Sequence, residues 1–537
     1  MIFNNLLHIM QRSVLFTWCI LLIGIYNVYA QVEIRPTYRE PYRPVYHFTP
    51  PVNWTNDPNG LVFASGLYHL FYQYNPEGMV WGHMSWGHAV SKDLVHWQNW
   101  PVAIPEGPEG MIFSGSAVVD SFNTSGLGTA AHPPLVAIYT SHHIMDSAHT
   151  DLYQQSQHIA YSLDGGRTWR KFAHNPVLDL HMRDFRDPKV WWYAPDHVWM
   201  MVVSFPVAHQ VQFFRSSDLI HWRHTGTFGP AGDTSYVWEC PDLFPLQIYD
   251  ATGKPTGKSK WVLMVSVQYD VQYFIGDFDG RTFTADDIRQ IRKVDEGRDF
   301  YAATTYNDIP ATDGRRICIA WMDNWAYAAH VPTFPWRGFM TVPRVFTLRE
   351  NERGIPVLYQ YPVDEIEQLA VDSMMIVHRA VKAKHPLWVH DYPFTVGKLS
   401  LQLRKIKGSF RLAVARHGDT AVWINYHPGT AKLQVDRTHS GNTHFDSRFP
   451  SVTTVQLRPA AHLRLDVYLD KSSVEIFVNG GEKAITLLFF PDAHQTEVSL
   501  EAMDGSCMID TLKLIRYPQA AYLVQRKFVS YGSHLGH

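Results

Sequence analysis

Cysteine is scarce, with four residues in a chain of 537. Cys19 sits in an apolar N-terminal run, which leaves Cys240, Cys318 and Cys507 for the remainder. Three cysteines cannot staple so long a chain, so stability has to come from packing. No Cys/His spacing suggests zinc, and neither a metal nor a cofactor is expected; the stretch HHIMDSAHTD (142–151) reads as a surface loop. Charge is sparse as well: 18% of residues are charged and the net charge is −3. That balance, with no basic stripe, excludes the electrostatic footprint of a nucleic-acid binder. Long hydrophobic runs are lacking too. VLFTWCILLIGI (14–25) is too short for a membrane span, and it follows Arg12 and precedes small residues ending at Ala30. It is expected to be a secretory signal covering 1–30, the alternative being an uncleaved anchor. Sequons stand at Asn53 and Asn123, the second in the more loop-like setting.

Aromatic residues are plentiful, at 14% including 18 Trp and 27 Tyr, which favours strands and sugar-stacking surfaces. Alternating runs come as hairpins, the first being LVFASGLYHLFYQY (61–74). The plan recurs at 114–141, 189–204, 242–268 and 300–322. Just ahead of these hairpins stand Asp57, Ser114 after Phe113, Asp187, Glu239 and Asp299, at intervals of 52 to 74 residues. One four-stranded blade per interval predicts a five-bladed β-propeller over 31–360. A second repeat, at Asp93, Asp164, Asp218 and Asp279, places an Asp before an aromatic and is expected to close turns between outer strands. After a connector at 361–384, nine short strands with Gly/Asn/Asp turns predict a β-sandwich over 385–520, followed by a tail at 521–537. The fold class is therefore all-β.

Residues that precede equivalent innermost strands meet at one mouth of a propeller. Asp57-Pro58, Asp187-Pro188 and Glu239-Cys240-Pro241 repeat an acid followed by proline in three blades. Crowded carboxylates raise one another's pKa, so one acid stays protonated while another is anionic. Such a pair is equipped to break a glycosidic bond. Asn56, Gln73, Trp81, Trp86, Trp238, Tyr301 and Trp321 offer ring faces or hydroxyl partners to a sugar, although core packing explains any one Trp equally well. Arg186 is placed to hold the Asp187 carboxylate ionised and oriented.

The motifs NDPNG (56–60), FSGS (113–116), RDPKV (186–190), WECPDLF (238–244) and DFYAA (299–303), in this order, resemble glycoside hydrolase family 32, the invertases, levanases and exo-inulinases. The resemblance implies a secreted retaining β-fructofuranosidase acting on sucrose or fructan. It makes Asp57 the nucleophile, Glu239 the acid/base and Asp187 the transition-state stabiliser, with Phe113, Ser114, Arg186, Cys240 and Asp299 among the substrate-binding residues. Thr55 stands where that family commonly has Met, a change in the pocket wall. A fructosyltransferase on the same scaffold and a non-catalytic carbohydrate-binding protein are the competing readings.

Overall fold

The structure is a computed structural model that describes residues 36–146 and 148–518. The expected signal segment, 1–30, and the tail, 521–537, lie outside the described residues.

Five strands carry the sequence motifs: Asn53–Ala64, Met111–Val119, Arg186–Tyr193, Trp238–Tyr249 and Tyr301–Thr305. Each packs on the next and the fifth returns to the first, closing a ring. Antiparallel meanders run outward from it. Their middle strands are buried on both faces by neighbouring sheets, as in Val198–Phe205, and so they are apolar almost without a break. The Asp turns lie between the third and outermost strands. Asp218 Oδ1, for example, accepts from the amides of Ile220 at 2.9 Å and His221 at 2.8 Å, the local self-bonding that makes Asp a turn residue.

Hydrogen bonding groups these meanders into four sheets, not one for each of five blades. The fourth and fifth share an eight-stranded sheet, because Trp238–Tyr249 pairs in parallel with Arg344–Glu350 through Ile248 and Tyr249.

Two further six-stranded sheets form the C-terminal sandwich. Its core is a continuous aliphatic cluster that includes Leu401, Leu412, Ile424, Leu465 and Ile476. The segment expected to be a connector is only partly one. Asp364–Leu369 is a 3-10 turn, but Asp372–Lys382 is an edge strand of the sandwich paired along Ser506–Arg516. Most of its side chains are exposed, and only Met374, Ile376 and Val381 pack on the sandwich core, so its apolar face is too sparse to stand out in the sequence.

Buried charge joins the sandwich to the ring. His47 bonds Asp470 through Nδ1 at 2.8 Å and Glu475 through Nε2 at 2.7 Å. Arg344 reaches the same Glu475 with Nε at 3.0 Å and Asp295 with Nη1 at 2.8 Å. Burial alone would favour neutral imidazole, but the two carboxylates outweigh it and raise His47 to about 9. The proton that His47 gains on folding stabilises the native state fully below its ordinary value near 6.5, and this contribution is lost as pH climbs through about 9. Chemical denaturation at pH 6, 8 and 10 should therefore show wild-type stability falling by on the order of 2–3 kcal/mol across the window. The fall should be blunted in His47→Gln; a parallel fall in both proteins would assign the effect elsewhere.

Candidate active site

All five inner strands carry a register break at the same place against their partners. It lies between Thr55 and Pro58, Ile112 and Gly115, Arg186 and Lys189, Glu239 and Asp242, and Tyr301 and Thr304. Each break is a bulge that frees residues from the ladder and re-aims their side chains toward the ring axis. The backbone is turned hard there: Asp187, Cys240 and Ala302, each the first bulged residue of its strand, have φ of 67°, 48° and 52°. Glycine is required just beyond the first bulge, because Gly60 has φ 54° and a Cβ there would stand 2.6 Å from the Phe71 ring.

The bulges bring Asp57, Asp187 and Glu239 into one cavity of about 220 Å³, lined also by Asn56, Gln73, Trp81, Phe113, Ser114, Arg186, Tyr301 and Trp325. Asp57 accepts from Ser114 Oγ at 2.6 Å and from Asn56 Nδ2 at 2.9 Å. Asp187 Oδ2 accepts the Cys240 amide at 2.9 Å. The Cys240 thiol lies between the two aspartates, 3.4 Å from Asp57 Oδ2 and 3.7 Å from Asp187 Oδ2. Glu239 accepts Arg186 Nε at 3.0 Å and Nη2 at 2.9 Å on Oε1, and the Tyr301 hydroxyl at 2.5 Å on Oε2. Gln73 sits deeper and spends its amide on Asn59 and the Ile112 carbonyl, at 2.8 and 2.9 Å, which ties the first two strands together.

Residues 47–362 match the model for the glycosyl hydrolases family 32 N-terminal domain, and residues 393–515 match that for the family 32 C terminal. The chain belongs to glycoside hydrolase family 32. It is 41% identical over 492 residues to a levanase of Bacillus subtilis, covering 89% of this chain and 70% of that one. It is 37% identical over 520 residues to an extracellular exo-inulinase of Aspergillus niger, with coverages of 87% and 93%. Among solved structures, an exo-inulinase from Aspergillus awamori superposes with a TM-score of 0.82 at 34% identity, over 90% of this chain and 99% of that one. A β-fructofuranosidase from Schwanniomyces occidentalis complexed with fructose gives 0.80 at 30% identity with the same coverages. The β-propeller followed by a β-sandwich is the architecture of this family 32 glycoside hydrolase.

Its acids are electrostatically coupled. Burial raises Asp57, opposed by the Ser114 and Asn56 hydrogen bonds and reinforced by the charge of Glu239. Burial likewise raises Asp187, to about 7; Arg186 pulls it down, while Glu239 and Asp57 push it up. Burial and the two aspartates hold the Cys240 thiol well above its usual range, so it serves as a donor and not as a nucleophile.

Arg186 differs from its expected partnership. Its forked contact is to Glu239 across the cavity, and its other end binds Asp184 at 2.9 Å and Gln155 at 3.3 Å, while Asp187 feels it only through space. Asp299 is not in the cavity at all. The register breaks make Tyr301, not Asp299, the counterpart of Glu239. Asp299 instead pairs with the buried Arg437 and Tyr327 and accepts the Leu488 amide at 2.7 Å, anchoring the sandwich. Trp321 is fully buried and does not line the cavity; its ring supports Trp325, with centroids 4.7 Å apart. Trp238 is core, and Trp86 is buried with its indole N–H on the Phe113 carbonyl at 3.0 Å. Trp325, missed in the sequence, presents a 39% exposed ring opposite Trp81, 43% exposed. The available signal was a second Trp in the loop just past the strand that ends at Trp321.

Because its pKa is raised in the fold, Asp187 costs stability progressively as pH rises from the ordinary carboxylate range through about 7. Asp187→Asn should therefore be more stable than wild type at pH 8, by on the order of 1 kcal/mol or more, and unfold at a higher temperature, with the gain vanishing near pH 4. Calorimetry at the two pH values checks this, and a variant less stable at both would contradict the assigned electrostatics.

Proposed function

We propose that this glycoside hydrolase releases terminal β-D-fructofuranosyl residues from fructans and sucrose, with net retention through a covalent fructosyl-enzyme intermediate. The observation that carries the reading is the meeting of Asp57, Asp187 and Glu239 in one small cavity between two exposed indoles. The levanase, exo-inulinase and β-fructofuranosidase names of its relatives supply the sugar class. The cavity's volume suits a single ring, which favours attack at chain ends.

Asp57 is held by Asn56 on one oxygen and by Ser114 and the Cys240 thiol on the other, and attacks the anomeric carbon as a carboxylate. Glu239 gives a proton to the departing glycosidic oxygen, and the fructosyl group is left esterified to Asp57. Glu239 then takes a proton from water as the water displaces Asp57, so the enzyme returns to its starting protonation state and two inversions give retention. Arg186 and Tyr301 fix the two oxygens of Glu239, which holds the carboxyl in line with the leaving group. Asp187, kept in place by the Cys240 amide, binds ring hydroxyls and stabilises positive charge as it develops in the transition state.

We further read the N-terminal apolar run as an export signal. The relative from Aspergillus niger is named as extracellular, and among the described residues no helix is long and apolar enough to cross a membrane.

A panel of levan, inulin and sucrose, with free fructose and oligosaccharide products followed separately, tests the activity. Free fructose as the main product is expected; predominant chain extension would instead assign transfer. Early product spectra by NMR should show the β-anomer of fructofuranose, and inverted product would sink the intermediate. Glu239→Gln should lower kcat by about 10²–10⁴-fold on natural substrates, and Asp57→Asn by more, roughly 10⁴–10⁶-fold. Both variants should remain folded.

A further inference from the structure

The inner strands have two ends, and only one end bears the acids. Arg186–Tyr193 starts at Asp187 and finishes in three consecutive aromatics, Trp191, Trp192 and Tyr193. At about 3.3 Å per residue, these stand roughly 13 to 20 Å along the strand from Asp187. There a second cavity of about 470 Å³ opens, lined by those three rings together with Trp261, Asp308 and Arg316. The rings are only partly buried. Phe122, 71% exposed, stands beside the cavity with its centroid 5.5 Å from that of Trp192 and its ring tilted by 41° to it. Hydrogen-bonding capacity is left over beside these rings. Arg316 donates through Nη1 to the Tyr306 carbonyl at 3.0 Å, which leaves Nε and Nη2 unassigned. Asp308 accepts the Val119 amide through Oδ2 at 2.7 Å, which leaves Oδ1. Among the described residues the Trp191 indole N–H, itself buried, has no acceptor.

We infer that this far mouth is a second, non-catalytic carbohydrate site that holds a fructan chain by stacking on Trp192 and Phe122 and by hydroxyl bonds to Arg316 and Asp308. The ligand class follows from the mixture. Flat apolar faces beside one carboxylate and one guanidinium suit a neutral polyhydroxylated chain, whose hydroxyls both donate and accept. An anionic polymer would meet Asp308, and a cationic one Arg316. The fructan identity rests on the activity proposed above. A polymer held at one mouth raises the local concentration of its free ends at the other, without any new contact in the catalytic cavity.

Affinity electrophoresis of Glu239→Gln through gels containing levan or inulin tests the site while sparing the polymer from digestion. Retardation by at least one fructan is expected, and adding Trp192→Ala or Phe122→Ala should weaken it by roughly fivefold or more. Phe122 is exposed enough to be removed without harm to the core, and thermal unfolding checks the Trp192 variant. In the active background the same two substitutions should leave sucrose kcat/KM unchanged while raising KM for the polymer. Absence of retardation, or equal retardation in all three proteins, would overturn the site. Failure of wild type to cleave any fructoside would overturn the activity, and the gel result with Trp192→Ala and Phe122→Ala would still report on the far mouth.

Discussion

Arg186 is the charge on which the site depends. Three carboxylates share one small cavity, and ionising all of them there without compensation would be costly. The guanidinium supplies that compensation with direction. It grips one oxygen of Glu239 through two nitrogens and is itself anchored by Asp184 and Gln155. Because it touches Glu239 and not Asp187, the field in the cavity is uneven. Burial and mutual repulsion push the aspartates up, and the glutamate sits in a forked clasp. Unequal environments for chemically similar acids are what allow one group to attack and another to move protons.

The bulges decide which side chains enter that field. They recur at the same depth in every inner strand, yet the acids do not occupy the same position within them. Asp57 is the second bulged residue of its strand, Asp187 is the first of its own, and Glu239 is the last paired residue before the break. That stagger lets three carboxylates face one another from different heights and angles instead of forming a symmetric collar. A ring of five inner strands thus gives an asymmetric pocket, with Ser114 and Tyr301 filling the two places that have no acid.

The sandwich contributes through buried ion pairs and not through the cavity. Its Arg437 takes Asp299, and its Glu475 binds both His47 and Arg344. Buried pairs of this kind bring little net stability compared with apolar packing, but breaking one partner away is costly. Their effect is to fix where the last inner strand sits, and with it Tyr301 and the loop bearing Trp325.

The sequence by itself determined the all-β class, the sandwich after the ring, the Asp turns and the meeting of three acids at one mouth. These features are written in local terms: period-two alternation, turn chemistry, and an acid before proline at the head of a hairpin. It could not count hydrogen-bonded sheets, since the parallel pairing that merges the last two meanders joins strands about a hundred residues apart. It misassigned Asp299 because two residues of offset are invisible without a register, and Trp321 because neighbouring indoles look alike in a string of letters. Which partner Arg186 grips, which Trp lines the cavity, and what gathers at the far mouth were decided only by tertiary structure. The physical reason is the same for each. A side chain's partner is set by the direction in which a bulge or strand end aims it and by what distant segments place opposite, and neither quantity exists along the chain alone.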